Sequence, residues 1–193
     1  MPDPTRKSSA RPRADARITK SRQALHAALL ALVSEIPFEE VTAAAITTRA
    51  GLGYATFFRH YPSREALLAE IAEGLINELL VLIAPLILTN ASAAAALTLA
   101  KFVADHRPVC RALLVGAGDA MRRDITERAA AAADKLKHVD PPWLPRDLAI
   151  VHGIGATLTI LQWWLEYGVQ VGPDAIATMI DKLVFSPLSH SPN

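Results

Sequence analysis

Apolar residues recur along most of this chain at spacings of three, four and seven, which place side chains on one face of an α-helix. The first face lies in residues 16–35, and its members are Ile18, Leu25, Leu29 and Leu32. Similar stripes occupy residues 63–83, 146–167 and 173–184. Alanine is abundant and runs of β-branched residues are scarce. The pattern predicts an all-α fold of about nine helices.

The stretch VTAAAITTRAGLGYATFFRHYPSREALL, residues 41–68, organises the prediction. Thr42 is a suitable N-cap for a short helix, because its hydroxyl can accept a backbone N–H of the first turn. Ile46 is placed to pack against the residue before that cap, as in a hydrophobic staple. Gly51 can end the helix in the left-handed conformation. Ser63 can cap a third helix, so the stretch predicts a helix-turn-helix followed by a long helix.

The second short helix of this motif is predicted over residues 53–60, with Phe57 buried. Its outward face then carries Tyr54, Phe58 and several small or polar residues. Large aromatic side chains that face solvent indicate a binding surface. From this fragment alone, an ordinary helical corner of an all-α protein remains an alternative.

The longer string ITTRAGLGYATFFRHYPSREALL resembles the DNA-binding region of tetracycline-repressor-type (TetR-like) transcriptional regulators. The matching residues are Ala50, Gly51, Ala55, Thr56, Phe57, Phe58, His60, Tyr61, Ser63, Arg64, Glu65 and Leu67. Two positions depart from the family pattern: Thr47 stands where alanine is usual, and Phe58 where tyrosine is common. The resemblance implies contacts with double-stranded operator DNA by Arg17, Thr42, Gly53, Tyr54, Ala55, Thr56, Phe58, His60, Ser63 and Arg64.

Charge is distributed unevenly along the 193 residues. Residues 1–64 hold ten Lys and Arg against five Asp and Glu, whereas residues 65–193 hold ten against fourteen. A basic front part favours a polyanionic partner. Residues 1–15 are rich in Pro, Ser and Arg and are predicted to form a disordered basic arm. We expect a DNA-binding domain over 16–64 and a helical effector-binding and dimerisation domain over 65–193.

The resemblance implies that the rear domain holds a small effector and pairs with a second copy through residues 146–185. Small residues at Gly153 and Gly155 would allow close helix packing, and Trp164 could anchor the interface. An apolar cavity with few polar groups is expected. The candidate lining residues are Phe102, His106, Cys110, Leu114, Trp143, His152, Gln162 and Trp163.

Several other classes of protein are not indicated by the sequence. No phosphate-binding glycine loop, nucleophile elbow or metal-ligand spacing is present, so we expect no enzyme, no cofactor and no metal. The uncharged windows 79–100 and 148–165 are interrupted by Pro85, Gly153 and other poor membrane formers, which favours buried helices over membrane spans. The single Cys110 fits a reducing cytoplasm. Two functions remain: an effector-released dimeric repressor, or an all-α ligand-sequestering or protein-interaction dimer that has lost DNA binding.

Overall fold

The computed structural model describes residues 10–135 and 143–189, with side chains described within 16–135 and 143–188. Those residues form nine α-helices, two π-helical turns, a 3₁₀ turn and a C-terminal turn, and none of them is in a strand. The predicted all-α fold is therefore confirmed. The helices are α1 (Ala10–Glu35), α2 (Ala43–Ala50), α3 (Tyr54–His60), α4 (Arg64–Leu88), α5 (Ser92–Asp105), α6 (Arg107–Arg111), α7 (Gly118–Asp134), α8 (Arg146–Glu166) and α9 (Pro173–Ile180).

The chain divides into two compact units, Met1–Leu67 and Leu68–Asn193. The division lies three residues beyond the boundary expected after residue 64. The predicted arm, residues 1–15, falls largely outside the described part of the chain, which begins with α1 at Ala10. Helix therefore starts six residues earlier than the apolar pattern suggested.

In the first unit, local chemistry fixes the turns that the sequence predicted. The Thr42 hydroxyl accepts the N–H of Ala45 at 3.1 Å and caps α2. Gly51 has φ +65° and ψ +31°, the left-handed conformation expected of a glycine C-cap. The Ser63 hydroxyl accepts the N–H of Ala66 at 3.2 Å at the start of α4. Because α2 and α3 are short, these caps satisfy a large share of their unpaired backbone groups.

A small apolar core holds α1, α2 and α3 together. Val41, Ile46 and Phe57 are completely buried, as are Leu25 and Leu29 on α1. The predicted hydrophobic staple between Val41, which precedes Thr42, and Ile46, the fourth residue of α2, therefore lies in the core. Ile18 was predicted on the same inward face as Leu25 but is 49% exposed. The inward face of α1 therefore begins further along the helix.

Tyr61 joins this core through its ring and its hydroxyl. The ring is 4% exposed and lies 6.1 Å from that of Phe57. The hydroxyl is 3.0 Å from Nε2 of His26 on α1, within hydrogen-bond distance. The end of α3 is thereby tied to α1.

In the second unit, α4 extends beyond the predicted stripe at residues 63–83. It continues to Leu88 with Pro85 inside it. Asn90 has φ +55°, and the N-cap of α5 is Ala91. Asn90 therefore belongs to the left-handed turn that closes α4, a conformation that asparagine tolerates.

The rear helices pack around α8 and α5. Helix α8 contacts α7 and α9, and α5 contacts α9. Trp164 is 1% exposed, and its indole N–H donates to the carbonyl of Val171 at 2.7 Å. The suggestion that Trp164 anchors a dimer is therefore wrong, because its side chain is used inside the unit.

After α9, the chain continues through the π-helical turn Asp181–Phe185 into the C-terminal turn Ser186–Ser189. The polar tail predicted from Pro187 onward therefore begins as helix. We call residues 181–189 the C-terminal segment.

By length and composition alone, α4 and α8 are apolar enough to cross a membrane. Both helices also line a cavity within the second unit, described below. The apolar residues in these uncharged stretches of α4 and α8 therefore have a structural role as cavity walls.

Gly51 and Gly74 provide a matched test of the predicted turn. Gly51→Ala places a Cβ in the left-handed region and should lower the free energy of unfolding by about 1–2 kcal/mol. Gly74→Ala lies within α4, where a Cβ meets nothing within 4 Å, and should raise it by up to about 1 kcal/mol. Urea denaturation followed by circular dichroism measures both. Equal effects of the two substitutions would contradict the role of Gly51.

Candidate functional sites

Helix α3 presents a mixed aromatic and polar surface on the side opposite its buried Phe57. Tyr54 is 58% and Phe58 47% exposed, and their rings meet edge to face at 5.1 Å between centroids. Ala55 is also exposed, while Thr56 and His60 are half-buried. Gly53 is the N-cap with an extended backbone, so α3 begins without a side chain covering its first turn. All the α3 residues predicted from the motif therefore lie on or beside one outward face.

Arg59 occupies the centre of this outward face, together with Ala55. At 3.6 residues per turn, both positions lie about 160° around the axis from Phe57. The Arg59 guanidinium donates to the Thr56 hydroxyl at 3.0 Å and, more weakly, to the Ala55 carbonyl at 3.4 Å. The sequence pattern gave no role to Arg59, because its place in the family motif accepts any residue. Its position two residues after the buried Phe57 was the available signal.

Arg49, also in the first unit, has its partner in another helix. Its guanidinium donates to the carboxylate of Glu35 on α1 at 2.8 and 2.5 Å. This hydrogen bond is the main cause that lowers the pKa of Glu35. The hydrogen bonds of Arg59 described above join it to residues of the same helix, α3. Breaking them would therefore not separate α3 from another element.

Arg64 was predicted to hold a phosphate, but its guanidinium is used inside the first unit. Its Nη1 donates to the carbonyls of Phe38 at 2.9 Å and Glu39 at 3.0 Å, and also to that of Val41. The guanidinium lies 4.8 Å from the centre of the Phe38 ring, and Nε donates to Glu65 at 2.8 Å. Arg64 therefore fastens the start of α4 to the turn that precedes α2. The structure thus shows a positioning role for Arg64, and its expected contact with DNA stays a prediction.

The remaining predicted DNA contacts lie at helix ends or on α1. Thr42 and Ser63 cap α2 and α4, and Arg17 is exposed on α1. A hydroxyl that accepts a backbone N–H still carries a proton that it can donate to a phosphate. Helix N-termini also favour anions through their dipole.

The second unit contains an elongated apolar cavity of about 290 Å³. Its lining on α4 runs from Ala72 to Ile87 along one face, a span of about 22 Å at 1.5 Å per residue. On α8 it runs from Ala149 to Leu161, about 18 Å. The remaining walls come from α5, α6, α7, the two π-helical turns and the C-terminal turn. The shape fits a narrow, extended molecule.

Polar groups are few among the residues that line this cavity. The Thr157 hydroxyl donates to the Gly153 carbonyl at 2.7 Å, which satisfies its proton within α8. Burial raises the pKa of the Cys110 thiol to about 12, so the thiol is neutral at physiological pH. Among the residues that the structure describes, the lining includes no Asp, Glu, Lys, Arg or His. A ligand can therefore place only uncharged, largely hydrocarbon parts inside.

Three of the eight predicted lining residues, Phe102, Cys110 and Leu114, do line the cavity. His106 does not: its ring lies 4.3 Å from that of Phe102, and its Nδ1 is 2.9 Å from the Phe102 carbonyl oxygen. Trp143 is 58% exposed and also lies outside the lining. The other three, His152, Gln162 and Trp163, lie on the opposite side of α8.

Helix α8 therefore has two distinct faces. Its inner face, from Ala149 through Thr157 to Leu161, lines the cavity. Its outer face carries exposed Leu148 and Val151, and Trp163 further along is 44% exposed. The expected effector contacts His152, Gln162 and Trp163 were wrong because apolar residues surround this helix, and composition cannot show which side is hollow.

Sequence reasoning missed most of the cavity lining. The missed residues lie chiefly on α4 and α8, with others on α7 and in the C-terminal segment; they include Leu75, Ile76, Leu79, Leu80, Ile83, Ile150, Ile154, Leu158, Ile125, Ala129, Phe185 and Leu188. On α4, the available signal for a cavity was that apolar residues lie all around the helix. This pattern had been interpreted as burial alone. Arg128 helps to place α7 against α4, since it pairs with Glu73 at 3.1 Å and with Asp124 at 2.8 Å.

Residues 25–71 match the family model described as "Bacterial regulatory proteins, tetR family". The match spans α2, α3 and the start of α4, together with residues 25–35 of α1. No curated protein sequence matches the chain. Residues 25–71 thus belong to the tetR family of bacterial regulatory proteins, as the resemblance implied.

Solved structures extend the likeness to most of the chain. The fatty acid degradation regulator FadR from Bacillus halodurans is 13% identical, with a TM-score of 0.66 over 88% of this chain and 97% of that one. Thermus thermophilus FadR, a repressor solved with lauroyl-CoA, is 18% identical, with a TM-score of 0.63 over 89% and 97%. Bacillus subtilis FadR, solved with stearoyl-CoA, is 12% identical, with a TM-score of 0.61 over 86% and 98%. The chain thus has the fold of a TetR-family transcriptional regulator.

The positioning role of Arg64 can be tested without DNA. Arg64→Met keeps much of the aliphatic stem but removes the guanidinium that donates to three carbonyls, of which that of Phe38 still accepts the N–H of Val41, so the free energy of unfolding should fall by about 1–3 kcal/mol. Arg59→Met, whose bonds are local and exposed, should change it by less than about 0.5 kcal/mol. Urea denaturation measures both. Unchanged stability in Arg64→Met would restore the phosphate contact as its main role.

Proposed function

We propose that the chain is a DNA-binding transcriptional repressor that acts as a homodimer and leaves its operator when a long apolar effector fills the cavity. The observation that carries DNA binding is the outward face of α3, within the region that matches the tetR family. The proposal places the protein in the cytoplasm, away from the membrane, and assigns it no catalytic reaction and no cofactor.

For DNA, we propose that α3 lies in the major groove and that its N-terminal end and outward face approach the bases. Tyr54 and Arg59 are the side chains on that face best suited to base edges, with Thr56 beside them. Arginine most often reads guanine through O6 and N7. Gly53, Ala55 and Phe58 shape the surface, and Arg17, Thr42, His60 and Ser63 hold the phosphate backbone.

For the effector, the shape and neutrality of the cavity favour a single extended alkyl chain. A chain of this kind matches the elongated lining on α4 and α8 and requires no charged partner inside. Two FadR regulators of the same fold were solved with lauroyl-CoA and stearoyl-CoA. A fatty acyl compound whose polar head remains outside the lining described here is therefore the proposed effector class.

For assembly, we propose that the outer face of α8 pairs with α9 and the C-terminal segment of a second copy, within residues 146–185. Exposed apolar side chains on this surface support the proposal: Leu148, Val151, Trp163, Met179 and Leu183. Large exposed apolar side chains concentrated on two neighbouring helices are typical of an interaction site. Gly155, where a Cβ would meet nothing within 4 Å, leaves room for close approach.

The alternative is an all-α dimer that sequesters a ligand or binds another protein without binding DNA. The exposed Tyr54 and the central Arg59 on the outward face of α3 favour the regulator. Selection of bound sequences from random duplexes with purified protein decides between them. Enrichment of a palindromic site supports the repressor, and no enrichment supports the alternative.

Effector and DNA should oppose each other's binding. If the cavity is the control site, saturating lauroyl-CoA or stearoyl-CoA should weaken binding to the selected duplex, typically by about 5–150-fold. Thermodynamic reciprocity requires the duplex to weaken binding of the acyl compound by the same factor. Fluorescence anisotropy of labelled DNA, with and without ligand, measures the first factor, and calorimetry the second. Equal affinities in both states would remove the effector from the proposal.

Substitutions on α3 should separate base readers from phosphate contacts. Tyr54→Ala and Arg59→Ala should each remove a base preference at one position of each half-site, at about 1–3 kcal/mol. His60→Ala should weaken all sites by a similar factor. Repeating the duplex selection with each variant provides the measurement. If Arg59→Ala lowers affinity but keeps every base preference, then Arg59 contacts phosphate instead.

The dimer proposal is tested by Leu183→Arg. Leu183 is 65% exposed, so a charged residue there should spare the core of the unit but place unpaired charge in the proposed interface. Light scattering should then give the mass of one chain instead of two. Val81→Arg is the control, since Val81 is 76% exposed on α4 and lies outside the proposed interface. Dissociation by both variants, or by neither, would contradict this interface.

A further inference from the structure

Thr157 places a hydroxyl group on the cavity face of α8. The α8 residues that line the cavity run from Ala149 to Leu161, and Thr157 lies near the middle of the arc that they cover around the helix axis. Its side chain is buried, at 8% exposure. Among the residues that the structure describes, the lining holds no other hydroxyl, and its one further polar side chain is the Cys110 thiol. An otherwise hydrocarbon wall therefore contains a single side-chain oxygen.

The hydrogen bond that Thr157 makes leaves this oxygen able to accept another. Its Oγ1 donates to the carbonyl of Gly153 at 2.7 Å, which uses the hydroxyl proton. Gly153 also lines the cavity, so both partners of this bond belong to its wall. A hydroxyl oxygen carries two lone pairs, and none of the residues that the structure describes donates a hydrogen bond to them. Toward the cavity, Thr157 is thus a hydrogen-bond acceptor.

The fold itself has little need of this hydroxyl. In an α-helix, the carbonyl of residue 153 already accepts the backbone N–H of residue 157. A threonine hydroxyl that bonds back to such a carbonyl adds no stability to the helix. Valine has the same branched shape and would complete the apolar wall without burying an oxygen. The hydroxyl is therefore better explained by the contents of the cavity than by the helix.

We propose that Thr157 accepts a hydrogen bond from a hydroxyl group on the alkyl chain of the effector, which makes the preferred ligand a hydroxylated fatty acyl compound. The proposal rests on the proposed function, since it takes the cavity to be the effector site. A ligand hydroxyl that is buried against hydrocarbon loses its bonds to water, whereas one that reaches Thr157 regains a partner. The thiol of Cys110 is only a weak acceptor. Thr157 therefore selects the position of the hydroxyl along the chain.

Thr159 provides a matched control two residues further along the same helix. Its hydroxyl donates to the carbonyl of Gly155 at 2.8 Å, which is the same bond to the residue four positions earlier. Thr159 is exposed, and neither it nor Gly155 lines the cavity. Thr157→Val and Thr159→Val therefore remove the same local bond and change helix propensity equally. Only the first removes an oxygen from the cavity wall.

The experiment measures dissociation constants by calorimetry on the full-length protein for hexadecanoyl-CoA and for a series of its monohydroxy derivatives. A hydroxyl that lies against the apolar lining should weaken binding by about 5–150-fold relative to hexadecanoyl-CoA. At the carbon that reaches Thr157, the hydrogen bond should offset this loss, so the affinity should equal or exceed that of the plain chain. A hydroxyl that stays outside the cavity also escapes the loss, but its affinity should be the same in every variant.

Thr157→Val should abolish the preference for the favoured hydroxyl position. The hydroxy compound that the wild type prefers should bind about tenfold more weakly, while hexadecanoyl-CoA keeps its affinity. Thr157→Ser, which keeps the oxygen, should retain the preference, and so should Thr159→Val. Melting temperatures measured without ligand show whether each variant is folded. If Thr157→Val does not fold, Thr157→Ala takes its place.

The outcomes separate this proposal from the one on which it rests. If the wild type binds hexadecanoyl-CoA but Thr157→Val changes the affinity of no hydroxy compound, the acceptor role is overturned and the effector cavity stands. Equal losses in Thr157→Val and Thr159→Val would also overturn it. Tighter binding of the oxo analogue than of the preferred hydroxy compound would show that Thr157 donates instead. No binding of any of these compounds by the wild type would overturn both the acyl effector and the acceptor role.

Discussion

Helix α8 has apolar side chains on two opposite faces, and the second unit depends on how they are divided. One face, centred near Thr157, borders the cavity, and the other carries Leu148 and Val151 into solvent. A helix that is apolar all round requires cover on every side. Here one side meets a hollow that a ligand can fill, and the other presents a surface that a second copy can cover. The proposed ligand and the proposed second copy therefore contact different residues of α8.

The cavity is neutral because its few polar groups are satisfied or uncharged. The Thr157 proton is donated within α8, and burial raises the pKa of the Cys110 thiol to about 12. Burying an unpaired charge is costly, so such a site selects ligands by length and shape. A fatty acyl chain satisfies these requirements, while its polar head needs a partner other than the lining.

In the first unit, Arg59 and Arg64 have different kinds of hydrogen-bond partner. Arg64 gives its hydrogen bonds to the carbonyls of Phe38, Glu39 and Val41 and holds the helix-turn-helix together. Arg59 keeps its bonds on α3 and remains at the centre of the outward face. A guanidinium held by three carbonyls is costly to move. The hydrogen bonds of Arg64 therefore stabilise the first unit, whereas those of Arg59 leave room for the base contact proposed above.

The sequence alone determined the all-α class, the helix-turn-helix and its turns at Thr42, Gly51 and Ser63. These features depend on hydrogen bonds and backbone sterics among residues three or four apart, which a single sequence displays. The tertiary structure alone decided the role of Arg64, whose carbonyl partners lie 23 to 26 residues away. It also decided which side of α8 faces the cavity: among the predicted effector contacts, Phe102, Cys110 and Leu114 line it, whereas His152, Gln162 and Trp163 do not. Periodicity shows that a helix has apolar faces, but only packing against distant helices determines what each face meets.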